Sequence, residues 1–554
     1  MARIRSGREG KELGLAREIA SSTIGFAVYL SINAISIWGG FFPLLPIEFQ
    51  TEEILIAFFV SQALSFSGVI LAHAGISFRN HDPSRRTPAG LYPMAIFMGS
   101  ACIILSMYFR DLTLALVIAG GVLLGGGCAG LFAMWQKVFA AMPVERGNLC
   151  LVLGAIATPF IYFAVNLAPE AIAAFLVPLF LAPLCGTCLS ISSGRSDFEQ
   201  PMFEDEPAEH AAVYRRVISD HWRSALCLGA IGFVSGVVRG VAVLEDGIVL
   251  FINEASLIGM LISASILLFV CCMRWIRVDL TDVFRIVYPA LIVGFLLVPL
   301  LGAAYLTAFV TLTYFAFSLI QMLMMMQAAQ ISRNRGVHPL FTFGFFAGIA
   351  YIMQSIGFVT GWFGILIPEQ GEVSLFAVSQ ISTFVLGMSL FVAVGSSFKN
   401  SILRGSASSD AVELFLMTEN IPGLKGIGQS AQSAARKAES TLLEHAKISP
   451  KKASFTTESS ASTRKRDIPS GEGVEAVRDM TSVRCHALKE QYALSIRELE
   501  VAELLVRGNT APAIADKLVI SEHTVKTHTK RIYAKLGIHK KQELLELVDN
   551  VELP

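Results

Sequence analysis

The side chains of this sequence best suited to chemistry are basic and hydroxylic groups gathered in one short segment near the C-terminus. At helical spacing, one end of this segment presents a mixed polar surface: Glu522, His523, Lys526, Thr527 and Lys530. Lysine, histidine and threonine donate hydrogen bonds to base edges or to phosphate oxygens. We therefore predict a surface that contacts nucleic acid, and both base reading and phosphate binding stay open for Lys526 and Lys530.

Two further cations follow in the same segment. Arg531 and Lys535 are spaced to contact backbone phosphates, although a solvated charge on a helix is an equally simple interpretation. His528 lies beside Val525 at helical spacing, so we expect it to pack against a core and to have a structural role.

Four short amphipathic helices are predicted to position these side chains, between residues 494 and 550. Ser495, with Glu498 three residues later, forms a capping box that opens the first helix. Thr510 and Ser521 are in position to cap the second and third helices. The third helix ends at Gly537, and the fourth runs from Lys540 to Val548. Apolar residues at helical spacing predict the core: Leu499, Ala502, Leu505, Ile514, Ala515, Leu518, Val525, Ile532 and Leu536.

The motifs in these helices resemble the LuxR-type DNA-binding domain nearly throughout. The resemblance rests on Leu494-Ser-Ile-Arg497-Glu498-Leu-Glu500-Val501, Ile514-Ala515-Asp-Lys-Leu518, Ile520-Ser521-Glu-His-Thr524-Val525-Lys526-Thr-His528 and Lys535-Leu536-Gly537. Ala511-Pro512-Ala513 departs from the polar residues usual there, but a first helical turn tolerates proline.

This resemblance implies a bacterial transcription regulator whose third helix enters the major groove of double-stranded DNA. It also implies a homodimer formed through the fourth helix, where Leu544, Leu545 and Leu547 are available. Packing within the domain explains some of these leucines equally well.

The remainder of the chain has the composition of a membrane protein. Of 554 residues, 53% are hydrophobic and only 16% are charged, and the formal net charge is zero. We predict an all-α fold with about twelve transmembrane helices. The predicted spans are 19–41, 54–76, 93–109, 112–135, 149–167, 170–191, 223–244, 248–273, 286–305, 307–330, 339–361 and 374–397.

The distribution of basic residues predicts the orientation. With the N-terminus inside, the cytoplasmic loops and tails hold about 21 Lys and Arg residues, against about two (Arg110 and Arg239) on the other side. We therefore expect a multi-pass protein of the cytoplasmic (inner) membrane with both termini in the cytoplasm.

The loop from Ser192 to His221 divides the spans into two six-helix halves, an architecture that resembles the major facilitator superfamily. The loop after the second span keeps basic residues (Arg79, Arg85 and Arg86) but not the family's signature order. We predict a transporter-like membrane domain at 1–399, a flexible linker at 400–485, because its composition buries little apolar surface, and a DNA-binding domain at 486–554.

Two charged residues fall inside predicted spans at similar depth, Arg239 and Glu254. Such charges are costly in a bilayer, so both a structural ion pair and a ligand-responsive pair are open interpretations. Polar residues such as Asn33, Gln62 and Gln354 are expected to form interhelical hydrogen bonds, and the glycines of the fourth span to permit close packing.

No enzymatic signature is recognisable. The sequence lacks a nucleophile paired with a base and a nucleotide fingerprint, and the Cys185-Gly-Thr-Cys188 spacing has no second ligand pair. We predict no catalytic residues, metal or cofactor. The leading hypothesis is a membrane-embedded one-component regulator that senses an unknown small molecule. The alternatives are a transporter with a regulatory DNA-binding tail and a regulator released by proteolysis.

Overall fold

The computed structural model of the chain divides it into two compact units, Met1–Leu424 and Lys425–Pro554, which we consider separately. It describes residues 2–37, 51–78, 90–169, 172, 175–204, 211–242, 248–272, 277–278, 280–366, 379–393, 412–413, 484–492, 494–507, 509, 511–518, 520, 522–538 and 541–549. Several loops used to predict the orientation, and most of the predicted linker, lie outside these residues.

The first unit is built from helices. They are α1 (Ala2–Ile32), α2 (Glu52–Phe78), α3 (Leu91–Ser106), α4 (Thr113–Ala141), α5 (Val144–Asn166), α6 (Ala182–Arg195), the short α7 (Pro201–Glu204), α8 (Ala211–Ala242), α9 (Ile248–Cys272), α10 (Leu280–Arg335), α11 (Pro339–Leu366) and α12 (Ser379–Ala393). Short π segments follow α1 (Asn33–Ile37) and precede α6 (Val177–Leu181), and a 3-10 turn (Arg110–Leu112) precedes α4.

Nine helices in the described part of the chain are long and apolar enough to cross a membrane. Two shorter apolar helices, α3 and α12, coincide with predicted spans 93–109 and 374–397. The all-α, polytopic character is thus confirmed, whereas the exact number of twelve spans stays a prediction.

Helix α10 contains two predicted spans, 286–305 and 307–330. Its 56 residues would extend about 84 Å if straight, more than twice the roughly 30 Å of a bilayer core. The rings of Phe295 and Phe309 nevertheless lie 4.6 Å apart, although fourteen residues of straight helix would separate them by about 21 Å. The chain therefore reverses direction between these two residues, as two separate spans require.

Close backbone approach at glycines holds the helices together. The prediction for the fourth span is confirmed, because a Cβ atom added to Gly125 would lie 2.3 Å from the carbonyl oxygen of Gln62 on α2. An analogous contact joins α8 and α11. An added Cβ on Gly236 would lie 2.0 Å from the oxygen of Gln354, and one on Gly357 would lie 2.0 Å from that of Phe233. These contacts fix the polar residues of both helices at the interface.

The C-terminal end of α4 is capped by residues distant in sequence. Arg333 of α10 donates from Nη2 to the carbonyl oxygens of Phe139 and Met142, both at 2.6 Å. Lys137 lies over the rings of Phe198 and Phe203 in the segment between the two predicted halves, at 4.9 and 5.5 Å. A cation at a helix C-terminus is favourable, so these contacts join the two halves at this end of the bundle.

The β-structure among the described residues consists of two antiparallel strands of two residues each. Arg277–Val278 (β1) pairs with Val412–Glu413 (β2). Two residues of the predicted linker are therefore hydrogen-bonded to the loop before α10.

The second unit contains a helical segment at 484–492 (α13), followed by α14 (Ile496–Val506), α15 (Ala511–Leu518), α16 (Glu522–Leu536) and α17 (Lys541–Asp549). The last four are the predicted helices, and all nine predicted core residues pack in or against one apolar cluster. Gly537 ends α16 in the left-handed region, at a φ of 69°.

Candidate DNA-binding surface and membrane cavity

The predicted capping box is present at the start of α14. The Ser495 amide donates to Oε2 of Glu498 at 2.8 Å, and the Glu498 amide donates to Oγ of Ser495 at 3.2 Å. Two amide groups that a helix start leaves without partners are thus satisfied. The other predicted caps, Thr510 and Ser521, lie outside the described residues.

Glu498 also joins α14 to α16. Nζ of Lys535 lies 2.6 Å from Oε2 of Glu498, and the two side chains are 40% and 5% exposed. Burial raises the pKa of Glu498, but the hydrogen bonds from Lys535 and Ser495 outweigh it, so the net pKa is lowered. This ion pair gives Lys535 a structural role beside the phosphate contact predicted for it.

The faces of α16 are sorted as the spacing predicts. Val525 and Ile532 are fully buried, and His528 is also buried, whereas Lys526 and Lys530 are exposed. Thr527 and Arg531 are half-buried at the edges of this exposed face. The side chains of Glu522 and His523 lie outside the described residues. Two cations one helical turn apart are therefore presented on the side of α16 opposite the core.

The sequence analysis missed α13. Its residues Cys485 and Leu488 are buried in the same core as Val501 and Ile514, so Cys485 belongs to the folded domain and not to the predicted linker. Burial raises the pKa of the Cys485 thiol to about 12, with a further increase from Glu503. The signal that could have found this helix is the apolar pair three residues apart before Leu494.

In the fourth predicted helix, α17, Leu544 is fully buried in the domain core and Leu547 packs against that core. Leu544 is therefore not available to another subunit, which corrects the interface predicted for it. Leu545 is half-buried and is not among the described residues that pack in or against this cluster.

In the membrane unit, Arg239 is 5% exposed. Its Nη1 donates to Oδ1 of Asn253 at 3.0 Å, and its guanidinium lies 5.6 Å from the ring centroid of Tyr314. We predicted that Arg239 pairs with Glu254 across the hairpin. The observed hydrogen bond is also to α9, but its acceptor is Asn253, the residue before Glu254. Glu254 itself is half-buried.

Arg239 lines an open cavity between helices of both predicted halves. Four segments form it: the π segment after α1, α2, α8 and α11. Its described polar lining residues are Asn33, Gln62, Ser67, Arg239, Tyr351, Gln354 and Ser355, and its aromatic walls are Phe59, Phe66 and Phe358. Glu254 is not among the described residues that line it, and the ligand-responsive pair of Arg239 and Glu254 stays a prediction. Sequence reasoning assigned Asn33, Gln62 and Gln354 to ordinary interhelical contacts, because nothing local marks them as neighbours.

Comparison with known proteins identifies the C-terminal helices. Residues 492–548 match the family of bacterial regulatory proteins of the luxR type. The chain is 43% identical to the Fimbriae Z protein of Escherichia coli over 60 residues, which cover 11% of this chain and 27% of the relative. It is 45% identical to the oxygen regulatory protein NreC of Staphylococcus aureus over 53 residues, which cover 10% and 24%. The chain thus spans about a quarter of the length of these relatives.

One solved structure covers most of the membrane unit. The fucose:proton symporter of Escherichia coli aligns with 68% of this chain and 98% of its own, at 15% identity and a TM-score of 0.39. A TM-score this low establishes no shared fold, and the resemblance to the major facilitator superfamily stays a prediction. The C-terminal domain of this polytopic membrane protein is a helix-turn-helix domain of the bacterial luxR regulatory family.

Proposed function

We propose that this protein is a membrane-embedded one-component transcription regulator that binds promoter DNA through α16. The observation that carries the proposal is the exposed cationic face of α16, in a family domain that shares its chain with a membrane bundle. Insertion of α16 into the major groove brings Lys526 and Lys530 to base edges or phosphates, with Thr527, Arg531 and His523 beside them. Lys535, which pairs with Glu498, adds to the positive electrostatic field that attracts DNA phosphates.

The proposal requires the C-terminal domain to lie in the cytoplasm. The predicted excess of basic residues on one side supports an inner-membrane protein with both termini inside. A homodimer would match the two-fold symmetry of a typical operator, and Leu545 is the side chain of α17 best placed to form it.

The membrane domain is proposed to sense a small molecule in the cavity beside Arg239. The cavity supports this role because it brings polar side chains of both halves together inside an apolar bundle. The same observation favours a second candidate function, a transporter whose DNA-binding tail reports substrate flux.

Genome-wide mapping of DNA bound by the intact protein in cells tests the DNA-binding role. A Lys526→Ala, Lys530→Ala double variant is expected to lose at least tenfold in occupancy at its sites. Lys541→Ala, which removes one positive charge from α17, is the control for loss of a lysine elsewhere in the domain. Equal occupancy of the double variant and the wild type would contradict the role of α16.

Two further measurements separate the alternatives. Counterflow of a radiolabelled ligand in proteoliposomes is expected only of a transporter. Fractionation of induced cells is expected to leave the C-terminal domain in the membrane, whereas a soluble fragment bound to DNA would replace the one-component proposal with proteolytic release.

A further inference from the structure

We propose that the cavity beside Arg239 binds a small uncharged molecule that carries several hydroxyl groups, a short-chain polyol in its simplest form. This inference rests on the proposed sensing or transport role of the membrane domain and specifies the chemical class of its ligand.

The lining of the cavity favours an uncharged ligand. The guanidinium of Arg239 is engaged by other groups of the protein, among them the amide of Asn253 and the ring of Tyr314. Every other described lining residue is neutral. An ion that enters such a site loses its hydration without gaining a counter-charge, whereas a neutral ligand avoids this cost.

Two helices build walls on which aromatic rings and polar groups alternate. Their lining residues follow helical spacing: Phe59, Gln62, Ala63, Phe66 and Ser67 on α2, and Tyr351, Gln354, Ser355 and Phe358 on α11. The rings of Phe59 and Phe358 lie 5.3 Å apart, and those of Phe66 and Tyr351 lie 4.6 Å apart. Ring faces attract C–H groups, and the amides and hydroxyls between them bind O–H groups. A carbon chain with a hydroxyl on most of its carbons offers both.

Three buried polar atoms of the lining residues have no hydrogen-bond partner within the described part of the chain. They are Oδ1 of Asn33, Oε1 of Gln62 and Oγ of Ser67, on residues that are 8%, 7% and 7% exposed. The terminal torsion of a glutamine is soft, so the Gln62 oxygen can turn towards a ligand. Buried acceptors without donors are costly, so the hydroxyl groups of a ligand would stabilise them.

The backbone at Asn33 gives a second indication of a binding site. Asn33 begins the π segment that follows α1, and such distortions of a helix are frequent at functional sites. Its amide is oriented, because Nδ2 donates to the hydroxyl of Tyr29 at 2.8 Å.

Tyr351 supplies a donor on the opposite wall. Its hydroxyl accepts from Nε2 of Gln321 at 2.7 Å, which leaves its own proton to be donated to a ligand oxygen. A ligand hydroxyl can accept from Tyr351 and donate to an amide oxygen at the same time, whereas an ether or a ketone can only accept. The lining thus selects hydroxyl groups over other neutral oxygen groups.

Stereoisomeric polyols test for a defined site against a general solvent effect. The melting temperature of the full-length protein in detergent is measured against concentration series of threitol, erythritol, xylitol, ribitol, sorbitol, mannitol and galactitol. Exclusion of a polyol from protein surfaces also raises the melting temperature, but without saturation and alike for stereoisomers. We expect at least one polyol to act saturably, with a midpoint about tenfold or more below that of a stereoisomer. The inference is overturned if none saturates, as for a cavity that holds only water.

A charged analogue tests the neutrality of the ligand. The aldonate of the same carbon number (threonate, xylonate or gluconate) is measured at constant ionic strength. It is expected to bind about tenfold or more weakly than the polyol, because its charge is not compensated in the cavity. Equal or tighter binding of the aldonate overturns the inference.

Variants assign the effect to the cavity. Gln62→Met and Tyr351→Phe are each expected to raise the midpoint for the polyol about tenfold, because each removes one hydrogen bond to it. Gln327→Met, at a buried position of α10 outside the described lining, is the matched control. Unchanged midpoints in folded Gln62→Met and Tyr351→Phe proteins contradict the inference. If no polyol binds while α16 still binds DNA in cells, the ligand class is wrong and the regulator proposal stands with a different signal.

Discussion

Glu498 has two structural roles at once, because its carboxylate caps the start of α14 and pairs with Lys535 of α16. The residue spacing predicted only the cap for Glu498, and a phosphate contact for Lys535. Loss of Lys535 would leave a buried carboxylate, 5% exposed, with only the Ser495 amide as a described hydrogen-bond donor. The DNA-binding domain is therefore expected to depend on this ion pair for its stability.

Lys535→Met is expected to destabilise the C-terminal domain by about 1–2 kcal/mol. The effect is smaller than the roughly 3–5 kcal/mol of a fully buried pair, because Lys535 is partly exposed and its charge is screened. Chemical denaturation of the full-length protein, followed through a fluorophore in this domain, measures the change. Lys517→Met, on the exposed face of α15, is the control; an equal loss in both variants would argue against the pair.

The same pair has a defined pH dependence. The pKa of Glu498 is lowered in the folded domain, so its stabilising contribution is fully present above the ordinary glutamate value of about 4.3. It is lost as the pH falls below that value towards the lowered folded pKa. The stability difference between wild type and Lys535→Met should therefore shrink between about pH 5 and pH 3.

At the scale of elements, helix length and helix packing were predictable to different degrees. The spacing of apolar stretches predicted spans 286–305 and 307–330, and the approach of Phe295 to Phe309 agrees with a reversal between them. The contact of α8 with α11 was not predicted, although Gly232, Gly236 and Gly240 recur at four-residue spacing. Such a repeat predicts a helix face suited to close packing, but it does not predict which helix packs against that face.

Gly236→Ala is expected to destabilise the membrane domain by about 1–3 kcal/mol, because its Cβ would meet a backbone oxygen that cannot rotate away. Thermal unfolding of the detergent-solubilised protein measures this. The control is Gly387→Ala on α12, where an added Cβ meets nothing within 4 Å. There, alanine should be neutral or stabilising, since it favours the helix over glycine. Equal melting temperatures for both variants would refute the close contact.

At the scale of the whole molecule, the two largest hydrophobic clusters among the described residues lie in different units. One core runs through the membrane bundle, and the other is formed by α13 to α17. Each of the two units has its own set of internal contacts, in line with two domains that fold separately.

Cleavage at a protease site inserted after Ser459 is expected to release a C-terminal fragment that stays folded. Cys485 is the only cysteine in this fragment, and burial holds its pKa at about 12, so it should react with a maleimide only after denaturation. Lys517→Cys, at an exposed position, is the positive control and should react at once. Rapid labelling of Cys485 in the native fragment would show that the domain needs the membrane unit to fold.

The sequence by itself determined the features that depend on neighbours along the chain. The helices of the C-terminal domain were predicted from capping residues three positions apart and from apolar spacing, and their motifs indicated the DNA-binding family. The membrane character was predicted from uninterrupted apolar stretches. Only the tertiary structure decided the features that depend on how distant helices meet. Asn33, Gln62 and Arg239 line one cavity although they belong to different segments. Successive helical residues point about 100° apart, so similar depth could not tell whether Arg239 meets Asn253 or Glu254.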